Sequence, residues 1–356
     1  MRTVVCQEPG RLSLEERAAP TCAPGEALLR IRRVGVCGTD IHAFGGNQPY
    51  FQYPRVLGHE LAGEIVAVGD GVDPAQIGRN AYVIPYLHCG QCRACRQGRT
   101  NCCRRMQVIG VHRDGGMCDT LAVPADHLVT SETLPLDQLA LVECQAIGAH
   151  AVRRSELAEG ELAVVAGAGP IGMGVVQLAR ARGARVVVVD TNPERLAFCR
   201  ERLGIAHTLN PAEEDVIAAL EALSDGELAD AVFDATGNPA AMQQGFDLVG
   251  HAGRYVLVSI VKADITFHDP DFHRKEMTLL SSRNATREDF DEVCRLMEAG
   301  RLPASTMITH RAELDELPSR MPAWCAPGSG VVKAMIELDS PGHAEAEADH
   351  APDHRQ

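Results

Sequence analysis

Cys89, Cys92, Cys95 and Cys103 stand three, three and eight residues apart in the run CGQCRACRQGRTNCC. Four thiolates can enclose one Zn²⁺ tetrahedrally at Zn–S distances of about 2.3 Å, and such a closed site holds structure rather than doing chemistry. Gly90 and Gly98 suit a loop that turns back tightly on a metal. Adjacent cysteines cannot easily share one site, so the fifth thiol, Cys102, is an alternative to Cys103. The same Cys-x-x-Cys-x-x-Cys spacing occurs in iron–sulfur proteins, but nothing else in the sequence points to electron transfer. Metal binding can hold a loop that buries little apolar area, because binding free energy becomes folding free energy.

Gly167, Gly169 and Gly172 form a second chemical feature, GxGxxG, with Pro170 and Ile171 inside it. The loop follows the apolar run LAVVA and opens a helical stretch, and Asp190 lies 18 residues beyond Gly172 at the end of VVVVD. In that setting the first glycine permits a tight turn and the second lets backbone approach a pyrophosphate. The third lets helix and strand pack closely. The pyrophosphate would meet the positive end of the helix. Asp190 would accept bonds from the adenosine ribose hydroxyls and repel a 2′-phosphate, which favours NAD over NADP. Arg195 could cover the adenine or soften that preference. Thr236 and Ser259, in segments 235–237 and 258–260, would line the nicotinamide half.

The elements that must position these groups divide the 356 residues by texture, and the length fits two domains. Residues 1–150 are rich in Gly, Pro and short β-type runs such as EALLRIRRVGV and LAGEIVAVG, which predicts a β-rich, barrel-like domain. Residues 151–280 alternate continuous apolar strands with helical runs, the pattern of a doubly wound α/β domain. NPERLAFCRERLG has helical spacing, with Pro193 near its start and Gly204 just past its end. In 281–340, DFDEVCRLMEAGRL predicts an amphipathic helix and GVVKAMIEL a final strand. The tail 341–356 is polar, without aromatic or β-branched residues, and is expected to be disordered.

Composition excludes several classes. Formal net charge is −14, from 48 acidic and 34 basic residues, which gives no electrostatic reason to bind nucleic acid. The N-terminus lacks a leader pattern, and the longest strongly apolar stretch, around 162–168, is far short of a membrane span. Thirteen cysteines, an odd count with five in one run, argue for metal binding over a secreted disulfide scaffold. The expectation is a cytoplasmic protein without membrane or nucleic-acid partners.

Taken together, VGVCGTDIHAFGG, VLGHELAGEIVAVG, the four-cysteine loop, LVECQAIGAHAV and the dinucleotide loop resemble the zinc-containing medium-chain alcohol and polyol dehydrogenases, across about residues 1–340. The resemblance implies an α/β chain: a GroES-like β-rich catalytic domain (1–150 and 281–340) with a Rossmann NAD-binding domain (151–280) inserted. It also implies a homodimer or homotetramer and two Zn²⁺ per chain, one catalytic and one structural. Cys37, His59 and Glu143 would bind the catalytic zinc, and Glu60 could approach the metal or hold its water. Thiolate, imidazole and carboxylate are reasonable zinc ligands that leave a fourth position open, where the metal would act as a Lewis acid toward an alcohol. Thr39 resembles the hydroxyl that relays the substrate proton, and Asp40 and His42 are further relay or supporting candidates. The family pattern favours Cys103 over Cys102 as the fourth structural ligand. Cys37 or His59 alone would more often be an ordinary core group, whereas Glu143 in the apolar run ALVEC needs a partner. One departure is Cys144, where relatives commonly have proline.

His42, Gln48, Tyr50, His112, Arg283 and Asn284 make the candidate substrate pocket polar for a simple alcohol. The stretches AFGGNQPYFQYPRVLGHE and LLSSRNATREDF look similar to sugar-acid dehydrogenases acting at carbon 5 of a hexonate. That resemblance implies oxidation of L-gulonate to D-fructuronate, or of L-galactonate to D-tagaturonate. Arg283 could grip the substrate carboxylate bidentately or serve in an internal or subunit salt bridge. Sorbitol, another polyol or L-threonine are alternative substrates. A non-catalytic zinc- and dinucleotide-binding sensor or structural protein is the alternative of another class, and the full set Cys37, His59 and Glu143 argues against it.

Overall fold

A computed structural model describes residues 1–47 and 51–338. Gln48, Tyr50 and the tail 341–356 lie outside the described residues. The apolar runs of the second region form a six-stranded parallel sheet. Its strand order is His207–Leu209, Arg185–Val189, Leu162–Ala166, Ala229–Asp234, Val249–Leu257 and Thr278–Ser281. This is the doubly wound order that places a ligand crevice beyond the carboxyl ends of the strands, where the chain switches direction. Leu162 and Val164 pack into one core and Ala163 and Val165 into the other. Both faces of the sheet are therefore covered, which is why its strands read as unbroken apolar runs. The helix Pro193–Leu203 has Asn192 as its N-cap, whose side chain accepts from the N–H groups of Glu194 and Arg195. Gly204 ends it at φ 65°, a conformation that suits glycine.

The β-rich unit is built around one long strand, Glu26–Val36. It pairs antiparallel with Glu60–Val68 on one side and with Lys333–Glu337 on the other. Lys333–Glu337 also runs parallel to Ile308–Glu313, so two strands from beyond the parallel sheet complete the sheet begun near the start of the chain. The boundary placed at 150 falls inside the helix Leu136–Arg154, and the parallel sheet continues to Ser281.

That helix, which patterning of LVECQAIGAHAV does not specify, joins the two units. Thirteen of its 19 residues are buried, so it is enclosed on most sides rather than along one stripe, and Glu143, Gln145 and His150 are buried with the apolar residues. It packs on the helix Pro170–Ala181 so closely that a Cβ on Gly148 would lie 2.8 Å from the Gly174 carbonyl carbon. Near its C-terminal end, a buried polar knot replaces apolar packing. His150 Nδ1 lies 2.8 Å from Asp289, which also accepts from Arg153 Nε at 2.7 Å and from the Thr286 N–H at 2.8 Å. Asp289 and Thr286 form the capping box of the helix Arg287–Glu298. Among the described residues no helix is long and apolar enough to cross a membrane.

Burial raises the Asp289 pKa, but hydrogen bonds from His150, Arg153 and Thr286 outweigh it and hold the carboxyl below its usual range. A carboxylate depressed in the folded state stabilises above its unfolded pKa of about 3.9, and that contribution fades as pH falls further. Asp289→Asn is therefore expected to cost about 2–4 kcal/mol at pH 7. In thermal melts its deficit relative to the parent should shrink below pH 4; a deficit constant from pH 7 to pH 3 would contradict the linkage.

Candidate active site

Cys37 caps the short helix Gly38–Phe44, and its position is set by a carboxylate. Asp40, fully buried, accepts from the Cys37 N–H at 2.9 Å and from the Gly58 N–H at 3.1 Å. One side chain thus ties the segment carrying Cys37 to the segment carrying His59. Burial lifts the Asp40 pKa while the nearby His59 pulls it down. His59 is buried with Nδ1 lacking a hydrogen-bond partner, 3.9 Å from Asp40 Oδ1. Ligand atoms of Cys37, His59 and Glu60 all lie within 4.8 Å of one another. A buried imidazole nitrogen without a partner is costly, and thiolate, imidazole and carboxylate form a zinc-type donor set. The residues fit a metal ion.

Glu60 is held from behind. Lys333 Nζ lies 2.6 and 2.8 Å from its two oxygens and donates also to the Val36 carbonyl at 3.2 Å. Both side chains are fully buried. Gly35 pairs with Glu60 across the strands, and a Cβ there would collide with the Glu60 carboxylate. Burial disfavours charge on Lys333, yet the Glu60 carboxylate outweighs it and raises the ammonium pKa.

Glu143 stands beside this cluster, not inside it. It is buried on the helix Leu136–Arg154 and accepts a hydrogen bond from the Tyr86 hydroxyl. Burial lifts its pKa, opposed by the charge of His59 and reinforced by Glu60. Cys144 is buried and bonds the Leu141 carbonyl within the helix, so its thiol is already used. Thr39 is half-buried and His42 exposed on the same short helix. Tyr86 and Lys333 escape sequence reasoning. Lys333 leaves a usable signal, a single cation in the apolar run GVVKAMIEL, since a buried lysine needs a partner. Tyr86 leaves none, because only the fold brings it to Glu143.

Arg283 lies near enough to His112 for its charge to be felt there. His112 accepts from the Val108 N–H at 3.1 Å through Nδ1. Burial lowers its pKa, and the positive charges of Arg283 and Arg55 lower it further. Arg283 is exposed, while Asn284 takes φ 51° and buries an Nδ2 that has no partner.

In the cysteine loop the sulfurs of Cys89, Cys92, Cys95 and Cys103 cluster within 4.8 Å, and Cys102 is exposed outside them. The N–H groups of Cys89 and Arg105 each point at Cys103 Sγ at 3.3 Å. The Gln91 N–H, then the Arg105 side chain, hold the Cys89 thiol down at about 5. A thiolate at neutral pH surrounded by three more sulfurs fits a closed structural zinc site.

A cleft of about 760 Å³ opens at the carboxyl ends of the parallel strands, lined by Gly167, Gly169, Asp190, Arg195 and Thr236 among others. Gly167, at φ 96°, would set a Cβ 2.7 Å from the Ala235 carbonyl, and a Cβ on Gly172 would strike Gly167. Gly169 has nothing within 4 Å of its missing Cβ, so its backbone is open to a ligand. It is also the uncapped N-cap of the helix, with Pro170 and Ile171 following and N–H groups free for an anion. Asp190 accepts from the N–H groups of Ala168 at 2.6 Å and Asn192 at 2.8 Å, one on each oxygen. Arg195 reaches across to the Val331 carbonyl and keeps a buried Nη1 without a partner. Thr236 and Ser259 both donate to the buried Asp234, which sequence reasoning missed. These features fit a dinucleotide.

Residues 170–299 match the zinc-binding dehydrogenase family and residues 23–133 the alcohol dehydrogenase GroES-like domain. The L-galactonate-5-dehydrogenase of Escherichia coli K12 is 49% identical over 311 residues, 87% of this chain and 91% of that protein. The chain belongs to the zinc-type medium-chain alcohol dehydrogenase family. The 2-dehydro-3-deoxy-L-galactonate 5-dehydrogenase of Pseudoalteromonas atlantica is 32% identical over 89% of this chain and 92% of its own length. Among solved structures, galactitol-1-phosphate dehydrogenase from Escherichia coli superposes with a TM-score of 0.88 at 26% identity, covering 95% of this chain and all of that one. An alcohol dehydrogenase, rspB of E. coli CFT073, complexed with NADH, gives a TM-score of 0.89 at 28% identity over 95% of this chain and 99% of its own. This family member therefore joins a GroES-like unit to a Rossmann-type unit and is an oxidoreductase with zinc and NAD as cofactors.

Two zinc ions per chain are expected by elemental analysis, falling to one in Cys37→Ala with the fold retained. Lys333→Met should cost about 3–5 kcal/mol, because it strands a buried carboxylate. The double variant Glu60→Gln/Lys333→Met should recover much of that loss. Equal losses in the single and double variants would mean that the ion pair does not govern this site.

Proposed function

We propose that this chain oxidises the C5 hydroxyl of a hexonate with NAD, converting L-galactonate to D-tagaturonate or L-gulonate to D-fructuronate. The observation that carries the substrate class is the 49% identity to an L-galactonate-5-dehydrogenase across 87% of the chain. The site chemistry supports it. Arg283 is exposed and offers its guanidinium to a substrate carboxylate, while its charge disfavours protonation of His112. A guanidinium grips a carboxylate with two parallel hydrogen bonds, which a neutral polyol cannot reproduce.

Cys37, His59 and a carboxylate would hold the catalytic metal, and Cys89, Cys92, Cys95 and Cys103 the structural one. A zinc ion held by the first set supplies a Lewis acid that acidifies the substrate alcohol. Glu143, restrained by Tyr86, and Glu60, restrained by Lys333, are the two carboxylates able to fill that set. Asp40 keeps Cys37 and His59 in register. Thr39 accepts the hydroxyl proton and passes it outward, with the exposed His42 as its outlet. Gly167, Gly169, Gly172 and the helix start at Pro170 and Ile171 seat the pyrophosphate. Asp190 and Arg195 flank the adenosine end, and Asp234 fixes Thr236 and Ser259 beside the nicotinamide half. NAD seated by these residues would supply the hydride acceptor, and the protein would supply position and electrostatics.

The outermost strand Thr278–Ser281 pairs on one side only and exposes Leu279, which supports self-association into a homodimer or homotetramer. A chain with 13 unpaired cysteines belongs in a reducing compartment, the cytoplasm.

The test is a screen of L-galactonate, L-gulonate, sorbitol and L-threonine with NAD and NADP. Turnover confined to one or both hexonates with NAD is expected, and strong oxidation of sorbitol or threonine with inert hexonates would overturn the reading. Arg283→Ala should raise the hexonate KM by about tenfold to a hundredfold, the loss of one charge-assisted pair.

A further inference from the structure

Asn101 is a buried side chain that none of the roles above uses. It sits two residues before Cys103, in the short 3-10 turn Thr100–Cys102 of the cysteine loop, and is 3% exposed. Its Nδ2 lies 2.9 Å from the Arg283 carbonyl oxygen and 3.1 Å from His150 Nε2. The carbonyl can only accept, so the amide nitrogen must face it. The second amide proton then points at His150 Nε2, which must offer its lone pair. His150 Nδ1 therefore carries the proton and donates to Asp289. Asp289 is fixed in turn by Arg153 and by the Thr286 N–H and hydroxyl. The segment 283–286, between the edge strand Thr278–Ser281 and the helix Arg287–Glu298, is thus clamped at both ends. One clamp is Asn101 on the Arg283 carbonyl; the other is Asp289 on Thr286.

We infer that Asn101 is a positioning residue for substrate: through the Arg283 carbonyl, the metal-held cysteine loop orients the Arg283 guanidinium toward the hexonate carboxylate. This rests on the reading of Arg283 as the carboxylate-binding residue. The closed cysteine site then does more than hold its own loop. It anchors a donor whose far end, 182 residues later in the chain, determines how a charged substrate is placed. Arg283 is exposed, and Asn284 beside it adopts φ 51°. A long side chain on such a turn has many rotamers, and its aim depends on how firmly its own peptide is held. Asn101 supplies the hold at the Arg283 end of the turn. His150 and Asp289 keep Asn101 itself from rotating.

The test compares L-galactonate with galactitol, the same carbon skeleton carrying a hydroxymethyl group in place of the carboxylate. Galactitol is read as a substrate or, if it is turned over too slowly, as a competitive inhibitor. Asn101→Ala and the milder Asn101→Ser are expected to raise the L-galactonate KM by about fivefold to twentyfold, with kcat within twofold. The galactitol KM or Ki should stay unchanged, with two zinc ions still bound per chain. In an Arg283→Ala background, Asn101→Ala should add nothing further for L-galactonate. Parallel weakening of both ligands, or loss of zinc with the change in KM, would reduce Asn101 to a general structural role and overturn the inference. An unchanged L-galactonate KM in a folded Asn101 variant would overturn it as well. If Arg283→Ala itself leaves that KM unmoved, the failure lies in the carboxylate assignment. If Arg283→Ala acts and Asn101→Ala does not, only the positioning role fails.

Discussion

The buried ion pair between Glu60 and Lys333 is the constraint on which the active site depends. Glu60 opens the strand that follows His59, and Lys333 opens the last strand among the described residues. Lys333 also bonds the carbonyl of Val36, the residue before Cys37. One ammonium thus fixes the neighbours of both Cys37 and His59, and it does so only once the C-terminal strand has docked. Such a pair rarely adds net stability over well-packed apolar residues, because taking both charges out of water costs several kcal/mol per ion. Its value lies in placement. It holds a carboxylate within reach of Cys37 and His59, in a space kept clear by Gly35.

The remaining polar groups divide the same labour. Asp40 joins the backbone at Cys37 to the backbone at Gly58. Tyr86 restrains Glu143, and Asp234 gathers the hydroxyl of Ser259 and that of Thr236, which lines the dinucleotide cleft. Each is a buried acid or its partner, and each has at least one partner well separated in sequence: Gly58 for Asp40, Tyr86 for Glu143 and Ser259 for Asp234. The apolar helix Leu136–Arg154 gives them a common frame, since it carries Glu143 and His150 while packing against both units of the chain. Hydride transfer needs the reacting carbon and the nicotinamide held together, and a shared helix between the two units meets that need.

Much of this was legible in the sequence because local spacing dictates it. The cysteine loop needs four thiols on a short tether, and the GxGxxG turn needs glycine where φ is positive or backbone crowds, as at Gly167. Asn192 and Gly204 mark the ends of their helix by well-understood capping chemistry. What stayed hidden is non-local. Nothing in IPYLHC announces that Tyr86 will meet Glu143, and nothing near Cys103 announces that Asn101 will hold the carbonyl of Arg283. The length of the helix around Glu143 was also unreadable, because a helix buried on every side has no polar stripe to give its period away. Of the two carboxylates near Cys37 and His59, the family resemblance favours Glu143, whereas the observed cluster contains Glu60.

The central claim is direct hydride transfer from C5 of a hexonate to NAD, and isotope transfer tests it most directly. With L-galactonate deuterated at C5, the purified enzyme should deliver the deuterium to C4 of the nicotinamide, read by NMR or mass spectrometry of the NADH formed, with unlabelled D-tagaturonate as the product. NADH without deuterium, or deuterium retained in the product, would contradict the account.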